Sequence, residues 1–145
     1  MNFWDTSAVV PLCFSERDSQ TVRAILKQDP EMVVWWGCIV ECHSTWSRLV
    51  RQRILTPEGA EQARLALAPL EHEWVEVEPS PSLRDLAGRL TRLHPLSAAD
   101  AFQLAAALTW CRHRPDHHHL ITYDQRLSDA AKLEGFKVLP APSMS

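Results

Sequence analysis

The chain has no Cys-x-x-Cys pair, no apolar run of bilayer length, no internal repeat and no excess of positive charge. Each absence removes a class. Cys13, Cys38, Cys42 and Cys111 are scattered, which argues against a zinc ribbon or a disulfide scaffold. Cys38 and Cys42 lie one helical turn apart beside His43. That spacing is compatible with zinc, but reduced cysteines in an apolar helix more often serve as small core residues. Without a spanning segment no membrane association is expected. The first residues run straight into a strand that ends on an acid, so no secretory leader is expected. The expected location is cytoplasmic, where disulfides do not persist. A net charge of −3 argues against a broadly basic nucleic-acid binder. The arginines do group, at Arg48, Arg51 and Arg53, at Arg84, Arg89 and Arg92, and at Arg112 and Arg114. Solvated helix faces account for such groups.

What is present is an ordinary globular composition, 46% apolar and 23% charged over 145 residues, enough for one domain with one sizeable core. Short apolar runs alternate with amphipathic stretches. Strands are expected at Met1 to Trp4, Met32 to Trp36, Trp74 to Val77, Leu120 to Tyr123 and Lys137 to Leu139. Between them, helices are expected after Thr6 and Ser7 as N-caps, near Ser19 to Gln28, and over Cys38 to Arg53. Further helices should run from Thr56-Pro57 to Glu71, from a Ser82/Asp85 capping box to Leu93, from Ala98 to Arg112, and from Asp124 to the stop at Gly135. This alternation predicts an α/β fold, a single domain over residues 1–140 with a parallel central sheet flanked by helices, and a flexible tail over 141–145.

In such sheets ligands bind beyond the carboxyl ends of the strands. Four acids are expected at that rim. Asp5 and Asp124 directly follow strands, Glu41 lies early in the helix after the second strand, and Asp100 opens the alanine-rich helix. Each has an innocent reading. Asp5, Asp100 and Asp124 sit where helix caps belong, whereas Glu41 lies at the edge of an apolar stripe. Jointly the cap reading weakens, because every cap would have to aim at one place. Two carboxylates roughly 4 Å apart at an effective dielectric of about 20 repel by about 4 kcal/mol, so a cluster must protonate or bind a cation. Carboxylate oxygens suit Mg²⁺ or Mn²⁺.

The motifs around these acids resemble those of the PIN domain nucleases, and within them the VapC-type toxins. Phe3-Trp4-Asp5-Thr6-Ser7-Ala8-Val9-Val10 is similar to the family's opening motif, Glu41 matches its second acid, and Ala99-Asp100-Ala101 opening an alanine-rich helix resembles its third motif. Ile121-Thr122-Tyr123-Asp124-Gln125-Arg126-Leu127 resembles its fourth. The likeness covers nearly the whole chain. Gln103 departs from the pattern, standing where a histidine or an apolar residue is frequent, and His117-His118-His119 lies outside it. The resemblance implies a Mg²⁺- or Mn²⁺-dependent endoribonuclease leaving 5′-phosphate and 3′-hydroxyl ends, with Asp5, Asp100 and Asp124 holding metal and Glu41 ligating or ordering a water. Thr6, Ser7 and Thr122 would orient the carboxylates, and Arg126 would hold a substrate phosphate. The resemblance also implies an RNA substrate, a homodimer and a cognate antitoxin, received in a groove lined by the helices around Gln20 to Leu26 and Glu41 to Leu49. Two alternatives stay open, a non-catalytic partner-binding module of the same fold and a housekeeping ribonuclease without antitoxin.

Other readings have less support. Asp116-His117-His118 is superficially similar to the motif of the DHH phosphoesterases, but the further acids of those larger proteins are missing. A solvated turn accounts for the histidines. A phosphoacceptor receiver would need neighbouring acids at the first strand, and a haloacid dehalogenase a second Asp two residues after Asp5. Trp35 and Trp36 could stack on bases, although one of a consecutive pair on a strand must face the core.

Overall fold

The computed structural model describes residues 1–141. The expected tail therefore falls, from residue 142 on, outside the described residues. The elements are β1 (Asn2–Trp4), α1 (Thr6–Cys13), α2 (Ser19–Gln28), β2 (Met32–Trp35), α3 (Cys38–Arg51), α4 (Pro57–Glu73) and β3 (Val75–Val77). They continue with α5 (Pro81–Leu93), α6 (Ala98–Trp110), a 3-10 turn (Pro115–His117), β4 (His119–Ile121), α7 (Gln125–Glu134) and β5 (Lys137–Leu139).

The strands form one five-stranded sheet in the order β3-β2-β1-β4-β5, and every neighbouring pair is parallel. Successive strand residues point to opposite faces, so both faces of each inner strand must be covered. Phe3, Val33 and Leu120 point into the core beneath α5, α6 and α7. Trp4, Val34 and Ile121 point the other way, against α1, α2, α3 and α4. This is the α/β layering expected from the alternating pattern. Four of the six alanines of α6, Ala101 and Ala105 to Ala107, are buried; their small side chains let that helix lie close to the sheet.

The strand order places a topological switch point between β1 and β4. The chain moves outward from β1 through β2 to β3, then returns to the other side of β1. Crossovers leave on opposite sides there, which opens a crevice at the carboxyl edge. Asp5 N–H donates to the Ile121 carbonyl across it at 3.0 Å.

Local sequence chemistry explains most element ends, with some corrections. Thr56 caps α4 as expected, accepting from Gly59 N–H at 3.0 Å. Gly135 stops α7 at φ 110, a left-handed backbone that glycine adopts without a Cβ clash. The cap of α1 is Asp5 rather than Thr6 or Ser7. The cap of α5 is Ser80, whose hydroxyl accepts from Leu83 N–H at 3.1 Å, not Ser82. Pro81 decides this, since a proline is favoured in the first turn and needs no N–H partner there. β4 ends at Ile121, two residues earlier than expected, and this frees Thr122 and Tyr123 to line the crevice.

All four cysteines are free and buried. Cys38 and Cys42 belong to the core under α3, and burial pushes the Cys13 thiol up to about 12. The bland core reading of these residues holds. The histidine triplet flanks the start of β4, at the edge of the sheet opposite the crevice. His118 packs on Trp110 with ring centroids 4.7 Å apart.

The corrected α5 cap gives a direct expectation. Ser80→Ala should cost about 1 kcal/mol of unfolding free energy, read as a lower urea midpoint at unchanged slope. Ser82→Ala should stay within about 0.5 kcal/mol of the parent protein.

Candidate active site

Asp5 is the hub of the crevice. It follows β1 directly and is 3% exposed, because α1 turns back over the sheet immediately after it. Its Oδ2 accepts from Ser7 Oγ at 2.6 Å, from Thr122 Oγ1 at 2.8 Å and from Ser7 N–H at 3.3 Å. Ser7 Oγ also accepts from Tyr123 N–H at 2.9 Å and lies 3.1 Å from Thr122 Oγ1. These contacts join the ends of β1 and β4. All three fall on one carboxylate oxygen, so Oδ1 accepts no hydrogen bond among the described residues.

Asp124 caps α7, its Oδ1 accepting from Leu127 N–H at 2.8 Å, and its own N–H donates to Thr122 Oγ1 at 3.0 Å. Thr122 thus ties the first and fourth acids together. Asp100 lies in the first turn of α6, where its N–H donates to Ser97 Oγ at 3.2 Å. Glu41 lies in the first turn of α3. Gly37 caps that helix, and a Cβ there would stand 2.6 Å from Trp35 Nε1. Only glycine lets the indole lie so close to the start of the helix.

Gln103 carries a role that its position in an apolar helix hides. It is fully buried, one turn after Asp100. Its Nε2 donates to Glu41 Oε2 and to Thr6 Oγ1, both at 3.1 Å. Thr6 in turn donates to Cys38 Sγ at 3.4 Å. Thr6 and Gln103 thus both bear on Glu41, each lowering its carboxyl against the effect of burial. The only sequence signal was that Gln103 broke an otherwise apolar run.

The electrostatics show that the four acids share one field. Burial raises the Asp5 carboxyl most, and the charge of Asp124 adds to it, against the lowering effect of the Ser7 and Thr122 hydroxyls. Burial, then the charges of Asp5 and Asp100, pushes Glu41 up to about 7. Burial, then Asp124 and Asp5, pushes Asp100 up to about 6, with Arg126 pulling the other way. Arg126 is exposed, so its reach to Asp100 is through solvent. None of the four carboxylates forms an ion pair with a protein cation among the described residues.

The acids ring the crevice without already forming a cage. Among the described residues no three His, Cys, Asp or Glu side chains are gathered tightly enough to hold an ion as they stand. The donor chemistry nevertheless fits a hard divalent cation. It is all oxygen, it is anionic and uncompensated, and it includes the unshared Oδ1 of Asp5. Beside Asp124 and Thr122 opens a hollow of about 570 Å³ that also bears Arg17 and Lys132. These two cations come from α7 and the turn before α2, so no local motif announced them.

Raised carboxyl pKa values mean that the native state holds protons the unfolded chain has released. Stability from these groups is fully present below about pH 4 and is lost as pH rises toward 7. Glu41→Gln keeps an acceptor for Gln103 but removes the charge. In metal-free buffer this variant should melt at or above the parent temperature at pH 8, with a flatter decline between pH 5 and 7.5. A lower melting temperature at pH 8 would show that Glu41 is not held under repulsion.

The model of the PIN domain matches residues 3–133. Among solved structures, PAE2754 of Pyrobaculum aerophilum superposes with a TM-score of 0.67 at 18% identity, covering 95% of this chain and 88% of that one. VapC20 of Mycobacterium tuberculosis, a sarcin-ricin loop cleaving toxin, gives 0.64 at 18% identity over 90% and 95%. VapBC2 of Rickettsia felis, solved on a DNA fragment from its promoter, gives 0.63 at 12% identity over 94% and 96%. No curated protein matches the sequence. At these identities the structures establish the shared fold, and the family match spans all but the edges of the chain: this protein belongs to the PIN domain family.

Proposed function

We propose that the protein is a divalent-metal-dependent endoribonuclease, the toxin of a VapBC-type toxin–antitoxin pair. The observation that carries this reading is the set of four uncompensated carboxylates at the β1/β4 switch point, held in one field by hydroxyls and an amide. PIN domains are in general nucleases, and the likeness to VapC20 supports RNA as the substrate.

Asp5, Asp100 and Asp124, with Glu41, would hold Mg²⁺ or Mn²⁺. A cation bound there lowers the pKa of a water and neutralises charge on the phosphate and the leaving oxygen. The chain's own groups do the positioning. Ser7 and Thr122 hold the Asp5 carboxylate through Oδ2 alone and leave Oδ1 without a protein donor among the described residues, and Gln103 fixes Glu41. Glu41 would ligate the cation or order the attacking water beside it. Attack on phosphorus breaks the P–O3′ bond and leaves 5′-phosphate and 3′-hydroxyl ends. Arg126, with Arg17 and Lys132 in the adjacent hollow, would hold neighbouring phosphates.

The likeness to VapBC2, solved on DNA, supports a partner antitoxin for this chain. α2 and α3 are the elements proposed to receive it, and a homodimer is the proposed assembly. No helix among the described residues is long and apolar enough to cross a membrane.

Incubation with total RNA in Mg²⁺ or Mn²⁺ should create new 5′-phosphate ends that chelator suppresses. Asp5→Asn should abolish them, since asparagine still caps α1 but no longer offers a charged ligand. Thr122→Ala should lower the rate roughly 10- to 100-fold, the range for losing a group that orients a ligand. RNA binding without cleavage under any divalent condition would favour a non-catalytic module.

A further inference from the structure

A second hollow, of about 440 Å³, opens on the other flank of the acidic crevice. Its walls are Trp35, Trp36, Phe102 and Leu83 with two prolines, and Arg84 also lines it. Trp35 and Phe102 stack face to face, 5.3 Å between centroids and 5° apart in plane. Trp36 stands edge-on to Trp35 at 70° and is 52% exposed. An indole left half in water on a rigid aromatic floor is an available stacking face.

The hollow lies at the carboxyl end of β2, the edge of the sheet that also carries the acids. In the β1/β2 pairing Phe3 lies beside Val33, so Trp35 closes β2 at the same edge at which Asp5 follows β1. Trp35 lies against Gly37 at the head of the helix bearing Glu41. Arg84 has no ion-pair partner among the described residues.

Resting on the nuclease reading above, we infer that this hollow is a base subsite: it receives one unpaired nucleobase of the RNA next to the cut bond, stacked on Trp36. Flat aromatic walls take a planar π system, and the unpaired guanidinium of Arg84 meets the phosphate attached to that base. An aliphatic peptide anchor would fill the hollow but leave Arg84 without a counter-charge. Because every base has a π face, the subsite selects single-stranded over paired RNA more strongly than one base over another.

The test uses Asp5→Asn protein, which binds without cutting, and a short single-stranded RNA in which one abasic nucleotide is moved along the chain. Adding Trp36→Ala should weaken binding of intact RNA about tenfold, within the range for losing one base–aromatic stack. One abasic position should weaken the Trp36-containing protein by a similar factor and leave Trp36→Ala indifferent. Trp36→Phe should restore most of the affinity, and unchanged circular dichroism should accompany each variant. Equal affinity of the Trp36 and Trp36→Ala proteins for intact RNA would overturn the proposal. So would a dimer that dissociates on Trp36→Ala with RNA affinity unaltered, since the hollow would then belong to a second copy. Cleavage by protein retaining Asp5 is scored in parallel. Cutting with no Trp36 effect sinks the subsite alone, whereas Trp36-dependent, base-dependent binding without any cutting keeps the subsite and sinks the nuclease.

Discussion

Four carboxylates brought together at one sheet edge, Asp5 buried and the others half-buried, with no protein cation to pair them, are the constraint around which the site is organised. Burial raises Asp5, Glu41 and Asp100, and the charges of neighbouring acids raise them further. No lysine or arginine among the described residues pairs with them. A fold that served stability alone would place apolar or paired groups there, since uncompensated buried charge is costly. The hydrogen bonds from Ser7, Thr122 and Gln103 hold the acids in place rather than neutralise them. Such pre-set, strained charge is what a cation site needs.

The sheet makes this arrangement possible. Order β3-β2-β1-β4-β5 puts β1 at the centre, with the switch point on its β4 side. Asp5 and Asp124 come to the crevice from strand ends, whereas Glu41 and Asp100 come from the first turns of helices that start at the same edge. Two hollows flank it, a polar one toward α7 with Arg17 and Lys132, and an aromatic one toward α5 with Trp35 and Trp36. Together they give the carboxyl edge a basic and a stacking side, which is what the proposed RNA substrate would require of a chain with a net charge of −3.

Much of this was legible in the sequence because it rests on local chemistry. Apolar runs of strand length, Thr56-Pro57 and Gly135 each act within a few residues, and the acids sit at element ends that such signals locate. The cap of α5 falls at Ser80 rather than Ser82 because the Ser82/Asp85 spacing only mimics a capping box, whereas Pro81 after Ser80 suits the first helical turn. Asp5 caps α1 and also lies among the acids of the crevice, so its place as a cap does not exclude the role proposed for it. Gln103 was visible as a departure, but its role depends on Thr6 and Glu41, 97 and 62 residues away. The hollows were out of reach for the same reason, being assembled from segments whose proximity only the sheet order decides.

Anomalous diffraction from crystals of the protein soaked in Mn²⁺ tests the central claim most directly. The account predicts a manganese peak at the β1/β4 crevice, coordinated by the Oδ1 atom of Asp5 and by at least one of Asp100 and Asp124. Crystals that take up manganese elsewhere, and leave that crevice empty at a concentration supporting RNA cleavage, would contradict it.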